Sequence, residues 1–306
     1  MKIINTVSII GLGALGIMYA EHFSTQLGKE NVRIVADAQR ITTYKRNGVF
    51  ANGMRCDFHY VTPEQPVSSA DLVLVATKFH GLEEALQAVE GHVNEQTIFL
   101  SVLNGITSER EIMKKYPKNP VVYCVAQGMD AVKESNELHY DNKGILVIGN
   151  EGGELQAHTQ AVAAFFEKVQ LPYLVEPNMM HRLWGKFMLN VGINQTLAML
   201  EGTYGDVQIE GEARDLMQAA MREVIAIANH EGITLSEADI DYWMDVIATL
   251  SPTGKPSMAQ DVAAKRKSEL PLFAGTVRTL GRTYGIPTPV NDRLFTAISE
   301  KELRYR

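Results

Sequence analysis

Three sets of residues in this chain have types and spacings that could do chemistry. The first is Gly11-Leu12-Gly13-Ala14-Leu15-Gly16, which follows an apolar run at residues 7–10 and precedes a helix-favouring segment. In that order of strand, tight turn and helix, Gly11 can take the turn and Gly13 lets the backbone approach a pyrophosphate. Gly16 then allows close helix packing, and the helix N-terminus stabilises phosphate charge. Asp37 closes the next apolar run, residues 32–36, roughly 20 residues beyond the turn, where an acid can hold a ribose hydroxyl. The competing reading is a glycine turn that binds nothing. The second set is Lys186, Asn190 and Asn194, which recur every four residues and so form one polar stripe on an otherwise apolar helix. That stripe is either the solvated edge of an amphipathic helix or the lining of a polar cleft. Asparagines are poor helix formers that need partners, and a polar substrate would supply them.

The third set lies further on. Ser257 followed by Gln260 fits an N-cap with a capping box, a structural role that alone would explain the serine. Twelve residues later Ser268-Glu269-Leu270-Pro271 holds a proline that a continuous helix would not accept, so a new helix is expected with Ser268 as its cap and Pro271 in its first turn. On one straight helix Ser257 and Glu269 would stand about 18 Å apart, whereas a chain reversal could bring both to one site.

The elements that must position these residues change along the chain. In the first half strand and helix patterns alternate, with strands expected at residues 32–36, 71–76, 97–103, 121–125 and 145–148. Helices are expected at 38–46 and 157–169, and a hairpin at Asn52-Gly53. Such alternation implies an α/β fold with a doubly wound parallel sheet of Rossmann type. A ligand crevice then lies beyond the carboxyl ends of the strands, where Gly11, Asp37, Lys78 and Asn104 would sit. After Pro177 long helical patterns take over at 180–200, 210–231 and 237–250, with two more before the end. Gly232 stands at a helix C′ position, and Ser236 with Asp239 forms a capping-box start. The expected organisation is a dinucleotide-binding domain at 1–177 and an all-helical substrate-binding, catalytic domain at 178–306.

Composition narrows the class. At 306 residues two domains are the natural expectation. The net charge of −7 and the lack of a basic block give no reason to expect nucleic acid or an anionic membrane as partner. The N-terminus runs into the glycine turn with no small-residue cleavage site, which argues against a signal peptide, and no apolar stretch approaches the roughly 20 residues of a membrane span. Cys56 and Cys124 are too few for a disulfide framework and lack metal-ligand spacing, so no metal is expected and the cytoplasm is the expected location.

Together these residues carry a resemblance. The chain resembles the ketopantoate reductase family, the 2-dehydropantoate 2-reductases, over nearly its whole length. The matching pieces are GLGALG at 11–16, Val75-Ala76-Thr77-Lys78, Leu103-Asn104-Gly105, Trp184-Gly185-Lys186 with Asn190 and Asn194, Pro256-Ser257-Met258 with Asp261, and Glu269. The resemblance implies that Lys186 is the general acid that protonates a carbonyl oxygen as hydride arrives from a nicotinamide. It implies that Asn190, Asn194 and Ser257 bind substrate carboxylate and hydroxyl groups, that Glu269 holds a substrate hydroxyl, and that Lys78 and Asn104 line the cofactor side. Hydride addition develops negative charge on the carbonyl oxygen, so a cationic donor stabilises the transition state more than the ground state. Partial burial of the lysine would ease proton donation near neutral pH.

Two departures from the family pattern bear on specificity. NADPH-using members tend to place an arginine after the second strand, where this chain has Asp37 with Arg40 three residues on. An acid there favours a free ribose hydroxyl, so the resemblance implies NADPH while Asp37 points to NADH. Arg40 could reach a 2′-phosphate if Asp37 turned away. Leu270-Pro271 also replaces the pattern in which an acid follows the glutamate by two positions. The leading expectation is reduction of the small 2-oxo acid ketopantoate to pantoate for pantothenate and coenzyme A synthesis. Alternatives are a D-2-hydroxyacid dehydrogenase for other branched or aromatic 2-oxo acids and a non-catalytic dinucleotide sensor. The helical domain could pair as a homodimer, although no segment identifies an interface.

Overall fold

The computed structural model describes residues 2–305, and these divide into two compact units, the second starting at Met180. In chain order the strands of the first unit are β1 (Val7–Ile10), β2 (Val32–Val35), β3 (Phe50–Ala51), β4 (Met54–Arg55), β5 (His59–Val61), β6 (Leu72–Val75), β7 (Ile98–Ser101), β8 (Val121–Met129), β9 (Val132–Glu134), β10 (Glu137–His139), β11 (Lys143–Gly149) and β12 (Tyr173–Val175). They form an eight-stranded sheet, β12-β11-β8-β7-β6-β1-β2-β5, and a four-stranded sheet, β4-β3-β10-β9.

The main sheet is covered on both faces by α1 (Ala14–Leu27), α2 (Ala38–Asn47), α3 (Leu82–Ala88), α4 (Ser108–Lys115) and α5 (Ala157–Lys168). Alternate strand residues feed separate cores. Ile9, Ile34, Leu72 and Leu74 pack with Ile17 and Phe23 of α1 and Phe165 of α5. Ile10, Val35, Val73 and Val75 pack with Leu82 and Leu86 of α3 and Ile112 of α4. With both sides buried the strands read as unbroken apolar runs rather than alternating ones. Register then fixes the functional edge. Ile10 stands opposite both Val35 and Val75, and Val75 stands opposite Ser101, so Gly11, Asp37, Lys78 and Asn104 all follow strands that end at one carboxyl edge.

Two features depart from the simple parallel expectation. Strand β11 runs antiparallel to β8, with Leu146 opposite Ala126, and β12 follows β11 in parallel. The chain returns from β8 through β9 and β10 with no crossover helix, and an antiparallel return needs none. The expected Asn52-Gly53 hairpin joins β3 to β4 with both central residues at positive φ, 49° and 78°. It continues into the four-stranded sheet because β10 pairs with β3 in parallel.

The second unit is helical: α6 (Met179–Leu200), α7 (Tyr204–Gln208), α8 (Glu212–His230), α9 (Glu237–Ala248), α10 (Ser257–Ala263), a π-helical turn at Pro271–Gly275, α11 (Thr276–Tyr284) and α12 (Pro289–Glu302). Gly232, at φ +80°, follows the end of α8. The Ser236–Asp239 capping box opens α9. Two expected caps are corrected. Pro256, whose ring holds φ at −68°, takes the N-cap of α10, and Ser257 is its first helical residue with no capping bond. Leu270, not Ser268, stands at the N-cap of the next segment, which begins as a π turn with Pro271 in its first turn as expected. Ser268 Oγ still accepts from Leu270 N at 3.3 Å, while its hydroxyl and amide donate to Glu302 Oε1 at 2.5 and 2.9 Å. Among the described residues no helix is long and apolar enough to cross a membrane, and no group of three or more His, Cys, Asp or Glu side chains could hold a metal. Cys56 and Cys124 are free thiols.

Candidate functional site

In the first unit the three fingerprint glycines answer different demands. Gly11 sits at φ +99°, and a Cβ there would lie 2.6 Å from the Ala76 carbonyl oxygen. A Cβ on Gly16 would lie 2.0 Å from the Gly11 oxygen. The fold itself requires both. Gly13 is different, with an ordinary φ of −72° and only an ordinary contact, 3.7 Å to Ala76 O, awaiting a Cβ. Its missing side chain leaves open space over the turn. Gly13 is also the N-cap of α1, with no side-chain cap and no acid in the first turn, so the amides beside Ala14 and Leu15 face no anionic side chain of their own. Such a helix start suits a phosphate.

The remaining cofactor-side residues follow the strand ends. Asp37 caps α2, its Oδ1 accepting from Arg40 N at 2.7 Å while Oδ2 lies 3.3 Å from Arg40 Nε. Arg40 Nη1 lies 3.8 Å from Glu84 Oε1. Acid and arginine are thus paired rather than alternatives at this position. Lys78 is exposed after β6, and Asn104 is half-buried after β7, just before Gly105 at φ +94°.

In the second unit the polar stripe is mostly buried. Asn190 and Asn194 are each 5% exposed, so the solvated-edge reading fails for them. Asn194 Nδ2 donates to Asn190 Oδ1 at 3.2 Å, and Asn194 Oδ1 accepts from Ser257 Oγ at 3.4 Å and Met258 N at 3.3 Å. The structure therefore brings Asn190, Asn194 and Ser257 together. One turn earlier on α6, Lys186 is half-buried with its ammonium 5.8 Å from the centre of the Trp243 ring. Burial, and then the Arg182 guanidinium, push its pKa down to about 8. Glu269 is half-buried at the foot of the π turn, its carbonyl accepting from Leu272 N at 2.9 Å and Phe273 N at 3.2 Å. Asp261, from the same motif, is ion-paired with Arg266 at 2.8 Å.

Sequence reasoning missed three groups. Glu109, fully buried at the start of α4, accepts from Ser108 Oγ at 2.9 Å, and Ser101 Oγ donates to Ser108 Oγ at 2.8 Å. Burial pushes its carboxyl up to about 7. Lys133, on β9, donates to Leu12 O within the glycine turn at 2.7 Å. Gln195, the residue after Asn194, is fully buried. Only Gln195 had a local signal, as an amide at an apolar position of the helix.

Models of the family described as ketopantoate reductase PanE/ApbA match residues 7–153 and, for its C-terminal part, 178–302. The chain is 25% identical over 303 residues, 97% of each protein, to a 2-dehydropantoate 2-reductase of Streptococcus pyogenes serotype M6. Among solved structures it superposes on the ternary structure of D-mandelate dehydrogenase with NADH and anilino(oxo)acetate, with a TM-score of 0.87, 21% identity, and coverage of 97% of this chain and 98% of that one. A dimeric ketopantoate reductase from Staphylococcus aureus gives a TM-score of 0.80 at 20% identity over 98% and 100%. At these identities the structures speak for the fold.

Proposed function

The chain belongs to the ketopantoate reductase family, and we propose that it reduces the 2-oxo group of ketopantoate to give pantoate, in pantothenate synthesis. A nicotinamide dinucleotide is the cofactor, and when bound it supplies the hydride. The open space over Gly13 and the uncapped start of α1 fit its pyrophosphate. We assign Gly11 through Gly16, Asp37, Arg40, Lys78 and Asn104 to cofactor binding, Lys186 to proton donation, and Asn190, Asn194, Ser257 and Glu269 to substrate binding.

The observation that carries the reading is Lys186, a half-buried cation whose pKa is lowered to about 8 by burial and by Arg182, on the same helix as two buried asparagines, one of them bonded to Ser257. A cation there can neutralise charge that grows on a carbonyl oxygen and then give up its Nζ proton at neutral pH. Asn190, Asn194 and Ser257 offer donors and acceptors that hold a 2-oxo acid in one orientation.

For the cofactor we favour NADH. Asp37 is held by the α2 amide and by Arg40, so its carboxylate stays at the strand end, where it accepts from a free ribose hydroxyl and repels a 2′-phosphate. The same observation supports a second substrate reading, a D-2-hydroxyacid dehydrogenase for branched or aromatic 2-oxo acids, since the D-mandelate dehydrogenase neighbour is described with NADH. The described dimer of the S. aureus neighbour supports a homodimer here, which light scattering at twice the chain mass would bear out.

Steady-state rates with ketopantoate, 2-oxoisovalerate and phenylpyruvate, each with NADH and NADPH, test the whole reading. Highest kcat/KM for ketopantoate supports it, preference for phenylpyruvate favours the second reading, and no turnover in any combination overturns both.

A further inference from the structure

The π turn before α11 is not a local accident of Pro271. Gly275 N reaches back five residues to Leu270 O at 3.1 Å, taking the carbonyl that Ala274 N would use in an α-helix. Ala274 N instead donates to Gln195 Oε1 at 2.9 Å. Gln195 Nε2 donates to Val191 O at 2.7 Å on its own helix and to Asn291 Oδ1 at 3.0 Å. Asn291 Nδ2 donates in turn to Glu223 Oε2 at 2.7 Å, and the Glu223 carboxylate accepts Val290 N and Asn291 N at 2.7 and 3.0 Å. Gln195 and Asn291 are fully buried.

A π turn holds one more residue than an α turn, and one residue is about 100° of rotation. Glu269 stands at the foot of this turn, with its carbonyl bound to the first two amides inside it. The direction of its carboxyl relative to α11 therefore depends on whether the turn stays π-helical. Gln195 supplies the acceptor that an α-helix would have supplied, and it does so from α6, one residue after Asn194.

We propose that Gln195 is a positioning residue for substrate specificity: by holding the π turn open from α6, it sets Glu269 to meet the substrate hydroxyl. This rests on the assignment of Glu269 as the hydroxyl contact. Gln195 touches no substrate. It acts through the Ala274 amide, so its removal changes which 2-oxo acid is preferred rather than the chemical step.

The test compares ketopantoate, which bears the hydroxyl, with 2-oxoisovalerate, which lacks it, in the parent and in Gln195→Met, Gln195→Glu and Glu269→Ala enzymes. Methionine keeps the shape and loses both polar bonds, so the ratio of kcat/KM for the two substrates should fall about tenfold, through KM for ketopantoate, with 2-oxoisovalerate turnover kept. Protonated glutamic acid at position 195 can still donate to Asn291 and accept from Ala274, whereas its carboxylate cannot donate and faces Glu223 through Asn291. The Gln195→Glu ratio should therefore match the parent near pH 5.5 and fall toward the methionine value by pH 8, a profile that loss of folding alone would not produce. Equal losses on both substrates, or a Gln195→Glu ratio that ignores pH, overturn the proposal. If Glu269→Ala lowers the ratio and Gln195→Met does not, the Gln195 inference fails while the reading of Glu269 stands. If Glu269→Ala leaves the ratio unchanged, that reading fails and takes the inference with it.

Discussion

Asn194 Oδ1 accepts from both the Ser257 hydroxyl, at 3.4 Å, and the Met258 amide, at 3.3 Å, so one buried side chain on α6 fixes the start of α10. Asn194→Ala and Ser257→Ala should each raise KM for the 2-oxo acid about tenfold, and the double variant should be little worse than either alone, because neighbours in one network are not additive. Steady-state kinetics on the four proteins checks this; penalties that multiply would show two independent contacts.

If Lys186 is the proton donor proposed above, Lys186→Ala should lower kcat by about 10² to 10⁴ and leave dinucleotide affinity near the parent value, since such a donor acts on charge present only in the transition state. On the proposed role the protonated form is the donor in the parent. With a pKa lowered to about 8, the rate of reduction should hold below that pH and fall as pH rises through it. A flat profile from pH 7 to 10, or a Lys186→Ala enzyme turning over at the parent rate, would remove Lys186 from the proton step.

Gly13→Val should fold and fail to bind the dinucleotide, because space and φ at this position accept a Cβ from the chain's own standpoint. Gly11→Ala and Gly16→Ala should instead lose folded protein, since each Cβ meets backbone closer than 3 Å. Calorimetric titration with NADH alongside thermal melts separates the two outcomes.

Asp37→Asn keeps an acceptor for the Arg40 amide and removes the charge. Stability should stay within about 1 kcal/mol, while the preference for NADH over NADPH should drop at least several-fold. An equal loss with both cofactors would show that the carboxylate does not read the ribose.

Glu109 offers a stability test. Its folded pKa is raised to about 7 from 4.5, so the native state holds the proton more tightly than the unfolded chain between those values, and stability falls as pH rises through that window. Above pH 7 the buried carboxylate carries the full penalty, up to about 3 kcal/mol. Glu109→Gln should therefore stabilise the protein at pH 8 and make little difference at pH 4.5, as urea melts at the two values would reveal.

Local chemistry was the legible part. The glycine turn, the Asn52-Gly53 hairpin and the Ser236–Asp239 box are each decided within a few residues, and the buried strands announce themselves by unbroken apolar runs. Ser-x-x-Gln at 257–260 fits a cap locally, whereas the hydroxyl's observed partner, Asn194, lies 63 residues away. The same distance problem hid Lys133, whose partner Leu12 is 121 residues earlier. The Ser101–Ser108–Glu109 chain is short in sequence but carries no periodic or motif signal, because it exists only once α4 folds back on β7. Strands of three residues, such as β5 and β12, have too few alternations to register as a period.

The small sheet β4-β3-β10-β9 has a kinetic consequence. Its halves are drawn from distant parts of the chain, with Asn52 Nδ2 bonded to Tyr140 O across 88 residues, so its closure must wait until the intervening strands are in place. With strands only two or three residues long, it is also the segment whose amides should exchange first in the native protein. Lys133 belongs to this late-forming piece, and its bond to Leu12 is lost whenever the sheet opens. A refolding chain can thus regain its main sheet and helices before it regains the backing of its glycine turn, and recovery of dinucleotide affinity should lag behind recovery of secondary structure.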